Sequence, residues 1–163
     1  MPKRGRLHGL ALIPVFVIVA AGVLVGVVPF LIVWFLWGLV LGVVVRLRWI
    51  PDGRKALLVY SDSPHWKERF EGEILPHLGE RVISLNWSTR STWPRNPLKV
   101  SLAVWVFWRW KRRFEFNPMA IVFVPWWRPK VLRFWKPFKD LKHGKPERVT
   151  ELEATLFDLL GDA

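Results

Sequence analysis

Cysteine is absent from all 163 residues. That excludes disulfides, thiolate zinc centres and any reaction needing a sulfur nucleophile, and it leaves the compartment open. Metal-ligand spacing is missing as well: His8, His65, His77 and His143 form no H-x-x-x-H or H-E-x-x-H pair. There is no P-loop, G-x-S-x-G or kinase motif, and no cofactor is expected. Acidic residues are scarce, 13 against 25 Lys and Arg, for a net charge of +12. Charge is lacking altogether between Leu10 and Val45, a run of 36 residues without one polar side chain.

That run sets the organisation of the chain. A bilayer core is crossed by roughly 20 apolar helical residues, so the sequence predicts an integral membrane protein. Cleavage as a signal peptide after Val19-Ala20-Ala21-Gly22 would still leave an apolar anchor. A straight helix of this length would measure ~54 Å against a core of ~30 Å. Gly26-Val27-Val28-Pro29 lies near its middle, and Pro29 lacks a backbone donor. Lys3, Arg4 and Arg6 precede the run; Arg46, Arg48, Arg54 and Lys55 follow it. A helical hairpin split near 26–29 keeps both clusters in the cytoplasm, as the positive-inside tendency prefers, whereas a single span exports one of them. The expected divisions are a basic flank over 1–9, a membrane hairpin over 10–45, a basic linker over 46–55 and an α/β domain over 56–163 on the cytoplasmic side.

Twelve Trp are present. Trp settles at the membrane–water boundary, with its ring buried and its N–H wet. Trp105, Trp108, Arg109, Trp110, Lys111, Arg112 and Arg113 crowd one stretch, with Trp126 and Trp127 further on, and these residues are the expected membrane interface. Leu98–Phe114 is apolar and then basic, so it reads either as a core helix with a basic end or as a helix shared between the sheet and the lipid interface. Anionic headgroups are the expected partner, together with a membrane or membrane-proximal protein. Nucleic acid would suit the same charge, but a tethered chain meets lipid first.

Within the domain, Ala56–Tyr60, Arg81–Asn86, Met119–Val124 and Val131–Trp135 read as strands. A helix starts at Ser63-Pro64 and carries Trp66, Phe70, Ile74 and Leu78, with Pro76 disturbing its last turn. A last helix opens at Lys145-Pro146-Glu147 and closes at Gly161. The order is β-α-β-α-β-β-α, with a mixed sheet.

This order resembles the thioredoxin-like fold over roughly residues 56–160. A Rossmann-type domain is disfavoured by the closing β-β-α and by the lack of a Gly-rich first turn. In the thioredoxin-like family the active-site motif follows the first strand, a position held here by Ser63-Pro64-His65-Trp66, and a cis-proline precedes the third strand, where Pro118 stands. The resemblance implies a redox-inactive module, because Ser63 and Trp66 occupy the places of the Cys-x-x-Cys pair and disulfide exchange needs a thiolate. It implies a groove lined by Ser63, His65, Trp66 and Pro118, unless Ser63 only caps the helix and Trp66 only fills the core. The expected function is therefore a membrane-anchored, redox-inactive thioredoxin-like module that binds a protein or peptide at the bilayer. Two alternatives stand beside it: an enzyme or carrier acting on a lipid or lipid-linked substrate, and nucleic-acid binding through the basic helix.

Overall fold

The computed structural model describes residues 7–123 and 128–161, with side chains from Pro14 onward. The chain divides into two compact units, Met1–Val40 and Leu41–Ala163.

In the first unit the apolar run is one helix rather than a hairpin. Helix α1 (Leu7–Gly22) passes through a π turn (Val23–Val27) into α2 (Val28–Trp49), whose last turns belong to the second unit. The expected break at 26–29 does not occur, for a local reason. Val28 N–H donates to the Val23 carbonyl, five residues back. This wide turn sits where the Pro29 ring would otherwise strike the carbonyl four residues before it, and it absorbs the missing donor without ending the helix. Every residue from Pro14 to Val40 except the half-buried Gly38 is exposed. The stretch Pro14–Trp49 is long and apolar enough to cross a membrane.

The second unit is a mixed α/β domain built on a four-stranded sheet of order β2-β1-β3-β4. Strand β1 (Ala56–Tyr60) pairs in parallel with β2 (Val82–Asn86) and antiparallel with β3 (Met119–Val122), which pairs antiparallel with β4 (Lys130–Arg133). Val124, expected at the end of β3, lies outside the described residues. All five side chains of β1 are buried, so both sheet faces are covered, and the strand period of two assigns them. Ala56, Leu58 and Tyr60 face a core with Phe70, Ile74, Leu78, Phe134, Phe138, Val149, Leu156 and Leu160. Leu57 and Val59 face a second core that contains Val106, Phe107, Phe123 and, from the end of α2, Leu41, Val45 and Trp49. The last turns of the apolar helix are thus domain core. The Trp49 ring meets Phe123 edge-on at 5.8 Å, and Arg46 Nη2 donates to the Phe123 carbonyl at 3.4 Å.

Between β1 and β2 the chain runs through α3 (Lys67–Arg69), a π turn (Phe70–Ile74) and α4 (Leu75–Leu78). Pro76 stands two residues past this π turn, as Pro29 does past the other, and the same relief applies. The helix opens at Lys67 and not at Ser63. The Ser63 carbonyl accepts from Trp66 and Lys67 N–H at 3.2 and 3.0 Å, forming a turn that lets Trp66 swing inward, where its Nε1 donates to Ser61 Oγ at 3.2 Å.

Helix α5 is Leu102–Trp110, shorter than the expected Leu98–Phe114, and Ser101 Oγ caps it by accepting from Val104 N–H. The expected fourth strand ends early. Phe134 and Trp135 leave it, and Trp135–Lys142 form a helix, α6, with Pro137 in its first turn. The reason is the apolar spacing of Trp135, Phe138 and Leu141, which suits a helix face and not a strand. Helix α7 (Glu147–Leu160) closes on Gly161 at φ +81°, a left-handed terminus that favours glycine. Arg69 holds α7 through two 2.7 Å hydrogen bonds to the buried Glu153 carboxylate, an arrangement that raises the Arg69 pKa.

Candidate functional sites on the two faces of the sheet

On the α5 face, three tryptophans and a set of cations share one groove. A cavity of about 380 Å³ is lined by Trp87, Arg90, Trp93, Pro94, Arg95 and Trp108. Local hydrogen bonds shape the loop that carries most of them. Asn86 accepts from Ser88 N–H at 2.8 Å and opens a 3-10 run, Trp87–Thr92, and Thr92 Oγ1 donates to the Thr89 carbonyl at 2.7 Å. Trp87 then lies between two cations, with the Arg90 guanidinium 5.0 Å and Lys111 Nζ 5.8 Å from its ring. Trp93 and Phe116 pack edge-on against it at 5.6 and 5.0 Å. Such cation–ring pairs hold charge beside apolar surface without a carboxylate partner.

The expected interface residues divide. Trp108 is 37% exposed and belongs to the groove. Lys111, Arg112 and Arg113 are exposed at the end of α5, and Arg113 stacks on the exposed Phe114 at 5.6 Å. Trp105 is half-buried, edge-on to Trp108 at 5.5 Å. Trp110 is half-buried and packs on Phe123 at 5.5 Å. Arg109 is half-buried over Trp110, and desolvation lowers its pKa. Burial also lowers that of Arg133, with the nearby charge of Arg112 as a smaller cause. Trp126 and Trp127 lie outside the described residues. The α5 helix is therefore core on one side (Val104, Val106, Phe107) and open at Trp108. Trp87, Arg90, Trp93 and Arg95 were not singled out from sequence; Asn86-x-Ser88 and Asn96-Pro97, which organise their loop, were the available signal.

On the opposite face, His65 and Trp66 line a cleft of about 270 Å³ with Trp135, Phe138, Lys139, Lys142 and His143. Ser63 and Pro118 are not among its lining residues. Ser63 is half-buried, and Pro118 is buried at the start of β3, after a cis Asn117–Pro118 peptide bond. Beside the cleft, at the carboxyl ends of β1 and β2, Asp62 pairs with Lys67 at 2.8 Å and accepts from Asn86 Nδ2 at 3.0 Å. The Lys67 hydrogen bond first, then that of Asn86, lowers the Asp62 pKa, while Asp62 raises that of Lys67. Among the described residues no group of three or more His, Asp or Glu is placed to hold a metal ion.

No protein-family model matches the chain, and no curated protein and no solved structure matches it. The sites are therefore read from their own chemistry.

Proposed function

We propose that the chain is a membrane-anchored protein whose α/β domain is thioredoxin-like in topology, carries no thiol chemistry, and works as a binding module at the cytoplasmic surface of the bilayer. The observation that carries this reading is the helix from Pro14 to Val40, apolar throughout and exposed at every residue but Gly38. Apolar surface on that scale costs about 25 cal/mol per Å² in water, and a bilayer removes the cost. The span is also shorter than the sequence suggested, because Leu41, Val45 and Trp49 are domain core. Leu10–Val40 is 31 residues, or ~46 Å of helix, against ~40–45 Å for a bilayer with its headgroup regions. One span suffices. The cluster Arg46, Arg48, Arg54 and Lys55 favours a cytoplasmic domain, since it is the larger of the two flanking clusters.

The topological part of the reading is supported by a parallel β-α-β half joined through α5 to an antiparallel β-β-α half, with Pro118 opening β3. Helix α6 is an addition to that plan. The groove of Trp87, Trp93 and Trp108 with Arg90, Arg95 and Lys111 is the surface suited to anionic headgroups, whose phosphates take the cations while the indoles enter the interface.

Anchoring and orientation are tested together. Because the chain has no native Cys, Arg54→Cys and Glu151→Cys each give a single-thiol protein. Both variants should stay in the membrane pellet after alkaline carbonate washing. Both should be shielded from an impermeant maleimide in intact cells and labelled after permeabilisation. Release by carbonate would overturn the anchor, and labelling of intact cells would overturn the orientation.

A further inference from the structure

The cleft on the α6 side of the sheet is built wholly from residues of the domain and is independent of the anchor. Its walls are aromatic and fixed in place. Trp66 is held by its hydrogen bond to Ser61 and packs against Phe138 at 6.2 Å, tilted by 58°. Phe138 is itself only 3% exposed and belongs to the core. Trp135, at 36% exposure, forms the outer wall, with Lys139 Nζ 5.2 Å from its ring. The rim is cationic. Lys139 and Lys142 are exposed, and among the described residues no carboxylate pairs with either. Asp140, the acidic residue between them, is engaged by Arg148 at 3.0 Å. The imidazoles of His65 and His143 complete the lining. Lysines near a helix C-terminus offset its dipole, but that role does not require the aromatic hollow beside them.

We infer that this cleft is a binding site for a small amphipathic anion, an aromatic or short aliphatic body bearing a phosphate or carboxylate head. The body lies between Trp66, Trp135 and Phe138, and the head is held by Lys139 and Lys142. A volume near 270 Å³ lies just below the roughly 300–1,000 Å³ typical of drug-sized ligand sites. That size excludes a full diacyl lipid but admits a ring system or one short chain. Apolar contact and charge-assisted hydrogen bonds would contribute separately, so an anion without an apolar body should bind poorly.

The test uses the full chain in phosphatidylcholine nanodiscs, with empty nanodiscs as control, and follows 1-naphthyl phosphate by equilibrium dialysis. Saturable one-to-one binding below about 1 mM is expected, with inorganic phosphate failing to compete at the same concentration. Lys139→Gln with Lys142→Gln should weaken binding about tenfold or more, the paired Arg variants should retain it, and Trp135→Ala should weaken it while far-UV circular dichroism stays unchanged. Displacement by a short-chain lysophosphatidate added to the nanodisc would identify a single-chain lipid as the source of the head group, and displacement only by soluble hexyl phosphate would identify a free metabolite. Absence of saturable binding, or binding indifferent to both the Lys and the Trp135 variants, would overturn the inference.

Discussion

Tyr60 is the only tyrosine in the chain, so its ionisation can be read without ambiguity against twelve tryptophans. It closes β1, is 8% exposed, stacks on Phe70 at 6.0 Å with planes 6° apart, and donates to Glu71 Oε1 at 3.1 Å. Burial, followed by the Glu71 hydrogen bond and the negative charges of Glu71 and Asp62, pushes its pKa from the ordinary 10.0 up to about 12. Each of these causes disfavours the phenolate. The sign of the stability effect follows. Below pH 10 the phenol is protonated in both folded and unfolded chains, and its contribution is fully present. Between pH 10 and 12 the unfolded chain loses the proton and the folded chain keeps it, so stability falls by about 1.4 kcal/mol per pH unit, some 2.7 kcal/mol in all.

Absorbance at 295 nm over pH 8–13 should therefore show a midpoint near 12, with near-ultraviolet circular dichroism reporting the fold in parallel. In Glu71→Gln the midpoint should fall but stay above 10, because burial is the largest cause. In Tyr60→Phe the alkaline loss of stability should shrink, while stability at pH 7 changes by about 1 kcal/mol, one hydrogen bond to a partly exposed acceptor. A midpoint at 10 with the tryptophan circular dichroism intact would refute the burial of Tyr60, and with it the packing of β1 against Phe70.

Further outcomes follow from other contacts. A fragment beginning at Asp52 should be much less stable than one beginning at Leu41: it lacks Leu41, Val45 and Trp49, each contributing about 1.5–3 kcal/mol of burial, and comparative urea unfolding of the two measures the difference. Glu153→Gln should cost roughly 3 kcal/mol in the same assay, since it leaves Arg69 without its buried counter-charge. Replacing Arg90, Arg95 and Lys111 together with Gln in the 41–163 fragment should lower partitioning onto anionic vesicles roughly a hundredfold at low salt, at about 1 kcal/mol per charge, with little change in unfolding; partitioning that ignores both salt and the substitutions would remove the headgroup-binding role. Ser63→Cys with Trp66→Cys should close to a disulfide under mild oxidation, because the Trp66-to-Ser63 backbone hydrogen bond places their Cα atoms across one turn, within about 7 Å; persistent free thiols would show that this turn is not formed.

Much of the domain was legible because its signals are local. Ala56–Tyr60 and Met119–Val122 are short apolar runs between turn residues, and Val149, Leu156 and Leu160 mark one face of α7. Other features depend on tertiary context. Pro29 reads as a break and Pro76 as a disturbance of the last helical turn, and in each case a π turn placed just before the ring preserves the helix. Trp135 could extend a strand or open a helix; Pro137 two residues later, together with the spacing to Phe138 and Leu141, was the cue for the helix. The Trp87 groove assembles side chains from a loop and from α5, and no periodicity links Arg90 to Lys111. The cleft beside Trp66 likewise joins the first turn after β1 to α6, more than sixty residues apart.

The apolar run shows the limit most directly. Val40, Leu41, Val43 and Val45 are interchangeable by composition, yet Leu41 and Val45 are buried on the sheet, while Val40 and Val43 are exposed. Hydropathy measures the cost of water contact, and a bilayer and a protein core relieve that cost equally well. What separates them here is the partner: Phe123, Val106 and Ile121 form a surface that one helical stripe of α2 can cover, and the spacing of Leu41, Val45 and Trp49 at i, i+4 and i+8 supplies that stripe. The helix therefore passes from exposed to buried partway along its length without any change in residue type. Arg46 adds a polar contact beside that stripe, its Nη2 donating to the Phe123 carbonyl at 3.4 Å. Arg46, which by sequence flanks the apolar run, is thus part of the joint between the last turns of α2 and the sheet.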